Sequence, residues 1–220
     1  MICCAMQKTR TFEAVLFDID GTLLDTTELL FQSFEHTLLQ HNVDAKTREE
    51  IGKLIGRYIG EIYENLAPGL PTEQLIDTHF NFQMQHLHLA KLFPNTVAVL
   101  ETLKKNNVKI GALTNRIKTS RPSLTLAGLD KYMDIIITAE ELTHPKPHPE
   151  GIEKAIRNLH VERNDVVMVG DTKSDILFGK NAGVATIAAT YGFHGKNLEK
   201  ENPDYLIDDI ADILPIIFTE

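Results

Sequence analysis

The sequence predicts an α/β fold, a doubly wound parallel sheet with an all-helical insert, on three observations. From residue 95 onward, short apolar runs of strand length alternate with stretches of helical period. Repeated strand–helix alternation gives a parallel sheet covered by helices on both faces. Residues 25–91, by contrast, show helical period and no strand candidate. The first apolar run, Ala14 to Phe17, leads directly into two carboxylates, Asp18 and Asp20. Ligands of such sheets bind beyond the C-terminal ends of the strands, so this pair marks the end of the sheet where chemistry is expected.

The elements follow in order. Residues 1–11 read as a tail, and residues 12–17 as the first strand. Asp18 and Asp20, two apart on an extended chain, point to one face. Gly21 lets the backbone turn and Thr22 adds a hydroxyl. Residues 26–41 place Leu30, Phe34 and Leu38 four apart, a helical stripe that Thr26 or Thr27 could cap. Helices over 47–55 and 59–66 follow, then Pro68-Gly69-Leu70-Pro71 as turn punctuation. A helix over 72–91 is expected to bury Leu75, Ile76, Phe80, Met84 and Leu87. Beyond Phe93-Pro94-Asn95 come helices at 95–106, 117–127, 149–160, 173–182 and 209–217. They alternate with strands at 108–113, 134–138, 165–169, 184–188 and 205–207.

Composition narrows the function classes. A chain of 220 residues with 43% hydrophobic and 24% charged residues is ordinary for a soluble globular protein. A net charge of −9 argues against a nucleic-acid surface, which needs a basic patch. It leaves phosphorylated substrates open, because a bound cation reverses the local sign. The two cysteines, Cys3 and Cys4, are adjacent and form no disulfide framework. The opening Met-Ile-Cys-Cys-Ala-Met is too short an apolar run for a secretory signal or a membrane span. A cytoplasmic protein without a membrane partner is expected.

Four strand ends carry the chemistry. The first holds Asp18 and Asp20, the second Thr114-Asn115. The third leads to His144-Pro-Lys-Pro-His-Pro149, and the fourth to Gly170-Asp171-Thr-Lys-Ser-Asp175. Asp171 and Asp175 lie four apart at a loop-to-helix junction, so both can share one face. With Asp18 and Asp20 they form a candidate site for a hard cation, and Mg2+ prefers such oxygen donors beside a substrate phosphate. Lys146, stiffened by Pro145 and Pro147, suits a fixed positive charge over an anion. Thr114 and Asn115 can donate to phosphate oxygens. The prolines between His144 and His148 forbid a helical zinc pair, and His79, His86 and His88 fit a solvated or partly buried helix face.

Together these motifs resemble the haloacid dehalogenase superfamily of phosphohydrolases. Asp18-Ile-Asp-Gly-Thr-Leu-Leu-Asp25 looks like its first motif, Thr114-Asn115 its second, Lys146 its third and Gly170-Asp171-Thr-Lys-Ser-Asp175 its fourth. Within the superfamily the chain is similar to the phosphoglycolate phosphatase group and to the bacterial pyrophosphatase PpaX, notably over Asp25–Leu38, Lys146–Glu150 and Gly179–Gly183. Arg116 departs from the pattern, since many relatives carry lysine there. The resemblance implies a Rossmann-like core of residues 1–24 and 92–220 with a helical cap of 25–91 inserted after the first motif.

It also implies the roles. Asp18 forms an aspartyl-phosphate, and Asp20 serves as acid and then base. Mg2+ is held by Asp18, the Asp20 backbone carbonyl, Asp171 and Asp175, the last directly or through water. Gly21, Thr22, Thr114, Asn115 and Lys146 bind the phosphate, and Arg57 contacts the leaving group from the cap. The implied activity is hydrolysis of a small phosphorylated metabolite, phosphoglycolate first and pyrophosphate as the alternative, by a monomer or homodimer. A mutase of the β-phosphoglucomutase kind shares most of this machinery. A receiver-type phospho-switch is the non-enzyme alternative, but it lacks both Asp20 and the helical insert.

Overall fold

The computed structural model describes residues 9–219. Cys3, Cys4 and most of the expected tail lie outside the described residues. Six strands form one parallel sheet: β1 (Ala14–Phe17), β2 (Lys109–Thr114), β3 (Ile135–Thr138), β4 (Val166–Gly170), β5 (Ala185–Ala189) and β6 (Tyr205–Ile207). Their order is β3-β2-β1-β4-β5-β6. Ala14 is paired with Lys109 on one side and Val166 on the other, so β1 is the central strand. The order reverses between β1 and β4, which is where a doubly wound sheet opens a crevice.

Alternation along each strand divides the core. Val15 and Phe17 enter one apolar cluster with Ile110, Val167 and Ile187, while Ala14 and Leu16 enter another with Met168, Ile152 and Phe178. Successive residues of a strand point to opposite faces, so both faces of the sheet are apolar and both are covered. At about 25 cal/mol per Å2, this two-sided burial is the main force holding β1 in place.

Among the described residues the α-helices are α1 (Thr27–Gln40), α2 (Arg48–Gly52), α3 (Ile59–Leu66), α4 (Thr72–His86), α5 (Thr96–Lys105), α6 (Ser120–Leu126), α7 (Glu150–Leu159), α8 (Lys173–Ala182) and α9 (Leu214–Ile217). Helices α1 to α4 pack on their own apolar cluster, built around Phe34, Ile51, Ile62, Tyr63, Leu75 and Phe80. Ile117 and Ala139, from beyond β2 and β3, belong to that same cluster. No helix among the described residues is long and apolar enough to cross a membrane.

Several expectations need correction. The insert is not purely helical: Leu24–Asp25 pairs antiparallel with Lys91–Leu92, a two-stranded neck that closes its two ends together. Two-residue strands carry no periodicity, so this pairing is invisible in sequence. Helix α4 stops at His86, and a 3-10 turn at Leu87–Leu89 replaces its expected last turn. Its buried arc runs through Leu75, His79, Phe80 and Gln83, and Met84 falls outside it at 50% exposure. Neither threonine caps α1; the Asp25 carboxylate accepts the Thr27 N–H instead. Helix α2 is only five residues, and α6 starts late, after Lys118 takes a left-handed conformation. Over 209–217 the chain makes a 3-10 turn, Ile210–Ile213, before the short α9.

Candidate active site

Asp18 follows β1 directly, and its backbone N–H donates to the Val169 carbonyl of β4. The nucleophile candidate is thereby fixed to the two central strands, with 6% exposure. Lys146 reaches it from the loop after β3. The Lys146 Nζ lies 2.7 Å from Asp18 Oδ1 and 2.7 Å from Asp175 Oδ1, with all three side chains buried. Burial disfavours the ammonium, but Asp175 and Asp18 outweigh it and hold the lysine pKa above its ordinary value.

The loop that carries Lys146 is clamped by Asn115. Its Oδ1 accepts the Lys146 N–H at 2.9 Å, and its Nδ2 donates to the carbonyls of Lys146 and Gly56, both at 3.1 Å. Asn115 thus ties the second motif to the third and to the helical insert, and both its amide hydrogens are engaged. Thr114 Oγ1 accepts the Arg116 N–H, which leaves its own hydrogen available to a ligand. Gly56 has φ +91° and sits so close to Thr172 that a Cβ would come within 2.8 Å of its hydroxyl.

Asp171 and Asp175 extend from the end of β4. Asp171 accepts from the Thr22 hydroxyl at 3.0 Å and from the Phe193 N–H at 2.7 Å. Thr22 therefore orients Asp171, and Gly21 makes room for it: with φ +81°, a Cβ at Gly21 would stand 2.1 Å from Asp171 Oδ2. Asp175 Oδ2 accepts the Thr172 N–H and hydroxyl in a capping box at the start of α8.

Asp18, Asp171 and Asp175 each offer an oxygen within 4.8 Å of the others. Burial, with the neighbouring carboxylates, outweighs Lys146 and pushes the Asp18 carboxyl up to about 7. The Asp171 carboxyl is likewise raised, by burial and then by Asp18 and Asp175. Three buried carboxylates with one lysine are an under-neutralised set, and an all-oxygen donor group of this kind suits a hard divalent cation. The residues present fit Mg2+.

Asp20 stands at the rim of the cluster. Its Oδ2 lies 3.1 Å from Arg116 Nε, and its Oδ1 has no hydrogen-bond partner. Arg57 is exposed at the mouth of a cavity of about 70 Å3 shared by Asp18, Asp20, Lys146 and Arg116 with the apolar Phe34 and Phe80. All the site residues expected from sequence except Gly21, Thr22 and Asp171 line this cavity; of those three, Thr22 is bonded to Asp171 and Gly21 packs against it.

Three further residues belong to the site without having been assigned to it from sequence. Arg116 is buried, and only its place after Thr114-Asn115 hints at it. His79 is not on a solvated face: it is 1% exposed, between the Tyr63 hydroxyl at 2.8 Å and the Gln83 amide at 2.9 Å. Burial, then the nearby Arg116 charge, pushes its pKa down to about 3, so the ring is neutral. Phe193, whose N–H holds Asp171, follows β5, a fifth strand end that the same rule would have reached. No helix forms between His144 and His148, as the prolines imply, yet their exposed rings are 4.4 Å apart beside Glu150.

Comparison with known proteins agrees with this geometry. Residues 15–189 match the haloacid dehalogenase-like hydrolase family. Over 206 residues the chain is 34% identical to the pyrophosphatase PpaX of Bacillus mycoides, covering 92% of this chain and 95% of that protein. A haloacid dehalogenase-like hydrolase of Bacteroides fragilis has the same fold, with a TM-score of 0.83 at 27% identity, over 92% of this chain and all of the other. A structure named a predicted phosphoglycolate phosphatase, from Haemophilus somnus, aligns with a TM-score of 0.83 at 25% identity, over 94% of this chain and 98% of its own.

Proposed function

The chain belongs to the haloacid dehalogenase-like hydrolases and is a phosphatase, and from that premise we propose that it hydrolyses a small phosphorylated metabolite, with Mg2+, through an aspartyl-phosphate on Asp18. The observation that carries this reading is the Lys146 ammonium bridging Asp18 and Asp175 at 2.7 Å each, beside Asp171. A receiver-type switch is set aside, because the family match runs through the helical insert.

In this reading an Asp18 oxygen forms the bond to phosphorus while the bond to the leaving oxygen breaks. This divides one hard displacement into two easier ones. Asp20 protonates the leaving oxygen and afterwards takes the proton of the water that hydrolyses the acyl phosphate. Lys146 and the Thr114 hydroxyl hold the phosphoryl oxygens, and the backbone at Gly21 admits them. Asn115 acts through its clamp on Lys146, and Thr22 through Asp171. Asp18, the Asp20 carbonyl, Asp171 and Asp175 would hold Mg2+, the last directly or through water. When bound, that ion supplies positive charge that offsets the repulsion between nucleophile and phosphate.

Residues 25–91 serve as a cap on a core of 1–24 and 92–220, and Arg57 meets the leaving group at the mouth. The cavity is small, about 70 Å3, and favours a small phosphorylated substrate over a nucleotide. Phosphoglycolate and pyrophosphate are both small phosphorylated substrates; the 34% identity to the Bacillus enzyme favours pyrophosphate. The same reading takes the enzyme to be cytoplasmic, a monomer or homodimer, with no nucleic-acid or membrane partner.

The test is a panel of phosphoglycolate, pyrophosphate, sugar phosphates and nucleotides assayed for phosphate release with Mg2+. Turnover concentrated on one of the first two is expected. Preference for nucleotides, or release that is undiminished in EDTA, would overturn the reading.

A further inference from the structure

Arg116 is a buried cation with its donors unspent. Its side chain is 6% exposed. The 3.1 Å approach of Nε to Asp20 is not aligned as a hydrogen bond, and Nε, Nη1 and Nη2 have no hydrogen-bond partner among the described residues. A guanidinium carries five N–H donors and stays charged at any physiological pH. Buried donors in native proteins are almost always satisfied.

Among the described residues no acceptor is hydrogen-bonded to Arg116, although the Asp20 carboxylate stands beside it with Oδ1 unpartnered. Across the cavity the polar groups of the insert are engaged with one another: the Gln83 Oε1 accepts from the Thr119 hydroxyl, and its Nε2 faces His79. The carboxylates of Asp18 and Asp175 are taken by Lys146. Among the described residues Asp20 is therefore the one anion paired with Arg116, and Arg116 is among the residues lining the cavity. Asp20 is also the group assigned to the leaving oxygen. Whatever Arg116 contacts must then belong to the leaving-group half of the substrate. Its planar fork matches a carboxylate or a phosphate with two parallel bonds.

We propose that Arg116 binds a second anionic group on the leaving-group side of the substrate, a carboxylate or phosphate within a few bonds of the scissile linkage, and so selects doubly anionic substrates. This rests on the phosphatase reading of the same site and adds to it the residue that reads the substrate. Arg57, exposed at the mouth, steers the same anion inward.

The experiment compares kcat/KM for phosphoglycolate with that for ethyl phosphate, which lacks the carboxylate but has an alkoxide leaving group too. In Arg116→Gln the ratio between the two is expected to fall about tenfold or more, with partial recovery in Arg116→Lys. An equal loss on both esters would mean that Arg116 acts only through Asp20, and would overturn the proposal. If the variants do not fold, the native enzyme still decides, by calorimetry with 3-phosphonopropionate and propylphosphonate in the presence of Mg2+. Tighter binding of the carboxylated compound is expected, and equal binding overturns the proposal. If the native enzyme hydrolyses neither ester nor pyrophosphate, the reading of the function fails, while the phosphonate comparison still tests Arg116.

Discussion

The two regions that meet over the cavity are built on opposite plans. The core brings charge: Asp18, Asp171, Asp175 and Lys146 project from strand ends and short loops that the sheet fixes. The helical insert brings apolar walls, Phe34, Ile62 and Phe80, and one neutral polar chain running from Tyr63 through His79 and Gln83 to Thr119. The difference separates two jobs. Groups that must hold position through bond breaking stand on parallel strands buried on both faces. In the proposed reading, groups that admit, enclose and release a substrate stand on helices joined to the core through a two-stranded neck, a few hydrogen bonds, the Lys118–Asp77 ion pair and the packing of Ile117 and Ala139.

If that division holds, core substitutions reduce turnover and leave folding intact, while substitutions in the insert affect stability and closure. The largest effect is expected from Asp18→Asn. Loss of a covalent nucleophile costs about 10^4-fold or more in kcat, with an unchanged circular dichroism spectrum. A variant that keeps its activity would break the comparison at its root.

Removal of metal comes next. EDTA should abolish phosphate release and Mg2+ restore it, as measured by a phosphate assay. Stability should follow a definite sign. Asp18 titrates at about 7 in the folded protein against 3.8 unfolded. Between those values the folded state keeps a proton that the unfolded chain has released. The contribution of Asp18 to metal-free stability therefore falls as pH rises from about 4 to about 7. Mg2+ competes with that proton, so its addition should raise Tm more at about pH 8 than at about pH 5. Equal shifts would place the ion elsewhere.

His79→Leu probes the insert. It leaves the Tyr63 hydroxyl and the Gln83 amide without their buried partner, a loss of about 2–3 kcal/mol in chemical denaturation, with far less effect on kcat than Asp18→Asn. The native ring, held near 3 against 6.5 unfolded, contributes stability above about pH 6.5 that is lost as pH falls toward 3. The variant should lose that part of its acid sensitivity.

The smallest effect expected is that of Thr119→Val, which removes the hydrogen bond from the Thr119 hydroxyl to Gln83 Oε1 across the closure and leaves the Gln83 contact with His79 in place. One such bond is worth about 1 kcal/mol, or about fivefold in KM with kcat nearly unchanged. A collapse of kcat would show that the insert takes part in the chemistry and would blur the division drawn here.

Much of the core was legible before any coordinates. The strands at 134–138, 165–169 and 205–207 appear within one residue of their expected bounds, because short apolar runs between turn residues have few other folded solutions. The acids at their ends follow from the rule that places ligands beyond parallel strands. The insert was less legible. Its helices could be found, but which side chains of α4 turn inward depended on what they meet, and Met84 and His79 exchanged their expected places.

Sequence alone determined the alternation of strands and helices, the acidic motifs at two strand ends and the lysine held between prolines, since each is a matter of local period, spacing and backbone restriction. Tertiary structure alone decided the neck at Leu24–Asp25 and Lys91–Leu92, the Asn115 clamp on Lys146, and the burial of Arg116 and His79 on either side of one cavity. The physical reason is that burial and pairing are properties of two segments brought together. Neither segment carries a trace of its partner in its own composition.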